Sequence, residues 1–297
     1  MVTCNSPLTQ FWVGTSGFSY PDWVGPFYPP RTRPTEMLSF YARRFPIVEL
    51  NFTFYRMPTA GAFEHMLRRT PDGFQFLVKM SSEVTHARNW SCLGQFLEAL
   101  EPLCRTGRMA GVLCQFPQSF HRTRVASSYL RQLANRLAGY SAFVEFRHQS
   151  WYTARLIHEL AVLNLGIVSV DVPPLSSLFP RRLLGNGRTI YVRFHSRQTA
   201  NWYAGDKDRY DYLYSREELD EWLDEIQQLM EETERVYLLF NNCRKAQAAQ
   251  NAAQVQRILE QRFGPNANAV PAVPSSGLVQ PSLFTPAIAP PIIHFGQ

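Results

Sequence analysis

The chain has 297 residues, 45% of them hydrophobic and 13% aromatic, enough for one large core. Its formal net charge of +6 is too small to define a nucleic-acid or membrane-surface protein by itself. Five cysteines without CxxC or Cys/His ligand spacing exclude a zinc framework and a disulfide scaffold, and no apolar run reaches the length of a membrane span. The first ten residues, MVTCNSPLTQ, lack the basic start and apolar run of a signal peptide and read as a short extension. A reducing cytoplasm fits this cysteine usage best.

Eight short apolar or β-branched runs follow, at 11–16, 46–51, 74–80, 110–116, 142–147, 166–171, 189–195 and 235–241. Their length and near-continuous apolar character predict buried parallel strands. Helical spacing fills most of the gaps, at 35–44, 59–69, 91–106, 126–138, 152–164, 215–233 and 246–262. Thr35, after Pro34, is the expected cap of the first helix, and Ser215 with Glu218 forms a capping box. Between the sixth and seventh strands LSSLFPRRLL is expected to be an irregular connection. Alternation of this kind across about 250 residues predicts a single (β/α)₈ TIM barrel over 11–263. An open doubly wound sheet is the alternative, weakened by the absence of a GxGxxG turn. Residues 264–297 hold seven prolines and no Asp, Glu, Lys or Arg, and are expected to form a disordered tail.

Every strand stops in polar groups. In AFVEFRH, alternation puts Glu145 and Arg147 on one face and Val144 and Phe146 on the other. Glu49 and Asn51 end the second strand, Lys79 the third, Gln115 the fourth and Asp171 the sixth. Arg193 and His195 end the seventh, and Asn241-Asn242 the eighth. A barrel gathers these C-terminal ends around one mouth, where barrel enzymes carry their sites. A structural ion-pair layer of Glu49, Lys79, Glu145 and Arg147 would produce the same pattern.

The ordered motifs GTSGFSYPDWVGPFYPP, VELNFTFYRMP, TPDGFQFLVKMSSEVTH, CQFPQSF, VEFRHQSWY, YVRFHSR and LLFNNC resemble the YecE-like family, from about residue 12 to about 262. The resemblance implies a TIM barrel and no particular reaction. Phe18 and Phe52 stand where usual members carry Trp and Ser, and Cys243-Arg244-Lys245 replaces a small or acidic stretch.

On the residues, Glu49 and Glu145 are the expected general acid and base, with Asp171 and His195 completing the catalytic set. Substrate contacts are expected from Thr15, Gly17, Tyr20 and Trp23 in the first loop, with Phe27 and Tyr28 nearby as roof or core. Asn51, Tyr55, Lys79, His86, Gln115, Arg147, Trp151, Arg193, Asn241 and Asn242 supply the remaining contacts. The cations suit a phosphate or carboxylate, and Lys79 could also form a Schiff base. His148 lies just past its strand. A divalent metal on Glu49, Glu145, Asp171 and His195 is chemically open, but the cations of the same mouth disfavour it. No feature specifies a cofactor or an oligomeric state.

The leading expectation is an enzyme, a hydrolase or isomerase, acting on a small anionic or hydroxylated molecule such as a phosphorylated sugar. The alternative is a nucleic-acid-binding protein, with or without phosphodiesterase activity, motivated by Arg31, Arg33, Arg43, Arg44 and the loop aromatics. A scaffold is disfavoured, since an idle mouth would more cheaply be neutral.

Overall fold

Eight parallel strands close on themselves in chain order. They are β1 (Gln10–Ser16), β2 (Ile47–Leu50), β3 (Gln75–Lys79), β4 (Met109–Gln115), β5 (Ala142–Glu145), β6 (Gly166–Asp171), β7 (Thr189–Phe194) and β8 (Arg235–Phe240). The computed structural model describes residues 9–269 apart from 186–187, 201 and 204–205. Pairing of β1 with β8 completes the (β/α)₈ barrel and leaves the sheet without a free edge. Among the described residues no helix is long and apolar enough to cross a membrane.

Register decides which side chains point inward, because laterally paired residues share a face. Ser16 pairs with Glu49, Glu49 with Leu77, and Leu77 with Gly111. Gln115 pairs with Glu145, and Val170 with Arg193, which in turn pairs with Leu239. These residues line the interior. Below Glu145, Phe143 spans the barrel and packs edge-on against Tyr191 and Tyr237, with ring centres 5.4 and 6.1 Å away. Gly166 makes room for it, since a Cβ there would stand 2.4 Å from the Phe143 ring. Gly166→Ala is therefore expected to cost about 1–3 kcal/mol by overpacking. Chemical denaturation should show most of that loss recovered when Phe143→Leu is added.

The first helix (Pro34–Tyr41) starts one residue before the expected Thr35 cap. Pro34 occupies its first turn, where a missing N–H costs nothing, and the Arg33 N–H donates to Glu36 Oε2 at 3.0 Å. The stretch 91–106 is two helices, Leu93–Ala99 and Glu101–Arg105, the second with proline in its first turn. The Ser215–Glu218 box forms as expected at the start of the helix Arg216–Gln227. No helix interrupts residues 172–185.

The expected tail begins differently. Strand β2 pairs with β1 only from Gly14 onward, so the lower part of β1 has unpaired backbone on that side. Ala267 O accepts from Phe11 N at 3.1 Å, and Ala269 N donates to Phe11 O at 2.8 Å. Residues 264–269 thus belong with the barrel, while 270–297 and 1–8 lie outside the described residues.

Candidate active site

At the C-terminal mouth lies a cavity of about 690 Å³. Of the expected contact residues, Tyr20, Asn51, Tyr55, Lys79, His86, Gln115, Arg147 and Asn241 line it. Its floor is a buried ionic network. Arg193 forks onto Glu49, with Nε donating to Oε2 at 2.8 Å and Nη2 to Oε1 at 2.7 Å. Its Nη1 donates to Glu145 Oε2 at 2.5 Å. Tyr191 adds a hydroxyl to Glu49 Oε2 at 2.5 Å. Arg147 Nε approaches Glu145 Oε1 at 2.8 Å as a charge contact rather than an aligned hydrogen bond, and His195 Nε2 lies 3.3 Å from the same oxygen.

This network revises the roles of the carboxylates. Glu49, Glu145 and His195 have no solvent exposure, and Arg193 has almost none. Burial pushes the Glu145 carboxyl up, but Arg193, Arg147 and His195 together outweigh it and hold it well below the usual carboxylate range. Each glutamate is paired with the guanidinium it would have to leave, so neither is placed as the free acid or base expected from sequence. They act as the ionic floor. Burial, then Arg147, lowers the His195 imidazole to about 3, so the ring is neutral at pH 7. Asn241 Nδ2 stands 3.0 Å from its Nδ1.

Asp171 is not in the mouth. It pairs with Phe194 on the outer face of the sheet, beneath the helix Arg216–Gln227. There Arg197 Nη2 donates to Oδ2 at 2.9 Å, Trp222 Nε1 donates to Oδ2 at 2.5 Å and Tyr214 OH donates to Oδ1 at 3.2 Å. The group Glu49, Glu145, Asp171 and His195 therefore does not converge as a metal-binding set. Thr15 and Asn242 share that outward parity. The Thr15 hydroxyl donates to Gly17 O, and the Asn242 amide donates to Tyr212 O and to Asn251.

The first loop uses its backbone donors in the turn itself. Gly17 N donates to Glu49 O and Trp23 N to Tyr20 O, so these groups are spent on the turn. Gly17 sits at φ +93°, and a Cβ there would stand 2.4 Å from the Tyr20 hydroxyl. Trp23 is core, its Nε1 donating to Cys243 O at 2.6 Å, and Phe27 and Tyr28 pack beside it. Trp151 is core as well, stacked 4.4 Å from Phe146 and donating to Phe120 O. His148 stacks on His121 at 3.8 Å, away from the cavity.

Lys79 is the inward end of β3. Its Nζ stands 4.2 Å from the centre of the Phe54 ring. Among the described residues no carboxylate comes within ion-pair distance of it. Burial, then repulsion from Arg193, lowers the ammonium to about 7, with Glu49 and Glu145 opposing. His86 on the same wall is lowered to about 4 by burial and by Lys79.

Sequence reading missed Tyr191, although it shares a face with Arg193 and His195 two and four residues on. It also missed Asp22, Phe54, Gln118, Trp202, Arg209, Tyr210, Cys243 and Arg244, which line the cavity from loops and from single helical turns too short to show a periodicity.

The model of a family described as protein of unknown function DUF72 matches residues 12–275. The chain belongs to the DUF72 family. The YecE-like resemblance is to this same family. The match runs past residue 262 and takes in the segment that pairs with β1. The chain is 30% identical to UPF0759 protein YunF of Bacillus subtilis (strain 168), over 84% of this chain and 95% of that protein. A DUF72 family protein from Thermotoga maritima MSB8 is 40% identical, with a TM-score of 0.79 over 84% of this chain and 99% of the other. One from Enterococcus faecalis V583 is 25% identical, with a TM-score of 0.76 over 84% and 96%.

Proposed function

We propose that this DUF72 protein is an enzyme that binds a small anionic, hydroxylated molecule in the mouth of its barrel. The supporting observation is the charge of the lining: Lys79, Arg147 and Arg244 stand with one carboxylate, Asp22. A cationic cavity with low-dielectric walls concentrates anions. Arg147 is the natural partner for a phosphate or carboxylate, being anchored through Glu145. The amides of Asn51, Gln115 and Asn241 suit hydroxyl groups, and Tyr20, Phe54 and Tyr55 offer faces for a carbon skeleton. With both glutamates tied to Arg193, proton transfer falls to Lys79 and His86, which reach the cavity itself.

The nucleic-acid reading loses part of its motive. Arg33 pairs with Glu36, and Arg44 lies 3.5 Å over the Phe40 ring while donating to Phe40 O. A thermal-shift series on the full chain separates the two. Inorganic phosphate, sugar phosphates and small dicarboxylates are compared with neutral sugars and short oligonucleotides. A ligand at 100-fold its Kd adds about 2.7 kcal/mol, which raises Tm by several degrees. The expected hit is a small anion, with the shift lost in Arg147→Ala. Stabilisation by oligonucleotides alone, fading steeply with salt, would transfer the site to the other reading.

A further inference from the structure

Only three of the chain's 30 basic side chains are lysines: Lys79, Lys207 and Lys245. Elsewhere the chain uses arginine, including at Arg147 and Arg193, the two cations that hold the ionic floor. Arginine remains charged in proteins and cannot act as an amine nucleophile, whereas lysine can shed its proton and attack carbon. The lysine at the inward end of β3 therefore stands out. It lines the cavity, lies over an aromatic ring and has no carboxylate at ion-pair distance among the described residues. Glu49 and Glu145 would be the obvious partners, but Arg193 already holds both.

We propose that Lys79 is a covalent nucleophile and that the molecule bound in the mouth is a small anion bearing an aldehyde or ketone. This inference rests on the anion-binding reading of the same cavity. In the reaction the Nζ lone pair adds to the carbonyl carbon. A C–N bond forms, and the proton leaving nitrogen passes to the carbonyl oxygen, giving a carbinolamine. One further proton then expels that oxygen as water, and the nitrogen lone pair closes the C=N bond of an iminium ion. No oxidant or reductant is consumed. Arg147 holds the substrate's anionic group, and the positive iminium nitrogen draws electrons from the adjacent carbon, as in the Schiff-base reactions of other lysine enzymes. Burial and the neighbouring arginines keep a large share of Lys79 unprotonated near neutral pH, which supplies the nucleophile without a separate base.

The test is imine trapping on the full chain. The probes are glyoxylate and pyridoxal 5′-phosphate, each with borohydride, which delivers hydride to the imine carbon and fixes the adduct as a secondary amine. With only three lysines, peptide mass mapping assigns every adduct. Lys245 is the internal reference, an exposed amine paired with Asp211. At pH 7, Lys79 is expected to carry roughly tenfold or more label than Lys245, whose amine is held in an ion pair with Asp211. Inorganic phosphate should compete at Lys79 and not at Lys245. Lys79→Arg should lose the adduct, while Arg147→Ala should weaken it with the amine still present. Labelling of Lys79 no faster than that of Lys245 overturns the inference, and wild-type protein alone decides this if the variants fail to fold. If phosphate still raises Tm in that case, anion binding stands and only the carbonyl chemistry falls. If phosphate has no effect either, both fall.

Discussion

Replacing Arg193 by methionine is expected to lower stability by about 3–5 kcal/mol, the usual cost of removing one partner from a buried ion pair. For a chain of this size that is a fall of roughly 5–10 °C in Tm. The reason is geometric. One guanidinium satisfies both oxygens of Glu49 and one oxygen of Glu145, and all three side chains are sealed from solvent. Methionine fills much of the volume but leaves the two carboxylates to Tyr191, Arg147 and neutral His195. The variant's response to pH should differ in sign from that of the wild type. In the native protein the Glu145 carboxyl is depressed, so its contribution is fully present above the ordinary carboxylate pKa and is lost only as pH falls through the depressed value. Without Arg193 the buried Glu145 carboxylate should instead take up a proton on folding. Tm of Arg193→Met should then rise as pH is lowered from 8 to 5. Adding Glu145→Gln to the variant should recover part of the loss. A melting point within a few degrees of wild type, with an unchanged pH profile, would mean that the floor is not the structural element described above.

Lys79→Met is expected to stabilise the protein by about 2–4 kcal/mol at pH 7 and below, a figure reduced for the partial exposure of the side chain. In the folded chain the Lys79 ammonium is lowered to about 7, first by burial and then by Arg193. Unfolded, it titrates near 10.4. Between those values the unfolded state binds more protons, so the wild type gains stability as pH rises through that window. Below about pH 7 both states are protonated, and the wild type bears the full cost of a buried charge. Methionine carries no such cost, so its advantage should be largest at pH 6–7 and should shrink towards pH 10. Urea melts of both proteins across this range measure the difference directly. An offset that does not change with pH would mean that Lys79 is solvated and ordinary. Together with the trapping result, this would show whether a costly amine is kept for chemistry, a stability–function trade that active sites often make.

The eight strands and the polar character of their ends are legible along the chain because each depends on near neighbours. A run such as GIVSVD is apolar enough to be buried on both faces, and it ends where the barrel ends. That same property makes its parity unreadable. With Val168 and Val170 on one face and Ile167 on the other, nothing in the run says that Asp171 points outward, and the pairing of Val170 with Arg193 decides it. VEFRH and YVRFH were more informative, since Glu145 and Arg147 share one face opposite Phe146, and Arg193 and His195 share one face opposite Phe194. The first-loop tryptophan shows the opposite limit. An aromatic residue beside a mouth serves as either wall or core, and the Trp23 hydrogen bond to Cys243, distant in sequence, assigns it to the core.

The sequence by itself thus determined the (β/α)₈ architecture, the mouth and the inventory of charged groups that face it. The tertiary structure alone decided which of those groups neutralise one another. Glu49 and Glu145 meet Arg193 across separations of 144 and 48 residues, and that meeting turns two expected catalysts into a floor and leaves Lys79 without an anionic partner among the described residues. Periodicity acts along the chain and sets faces. Desolvation and charge pairing act through space, and their outcome is fixed only when the barrel closes in one register.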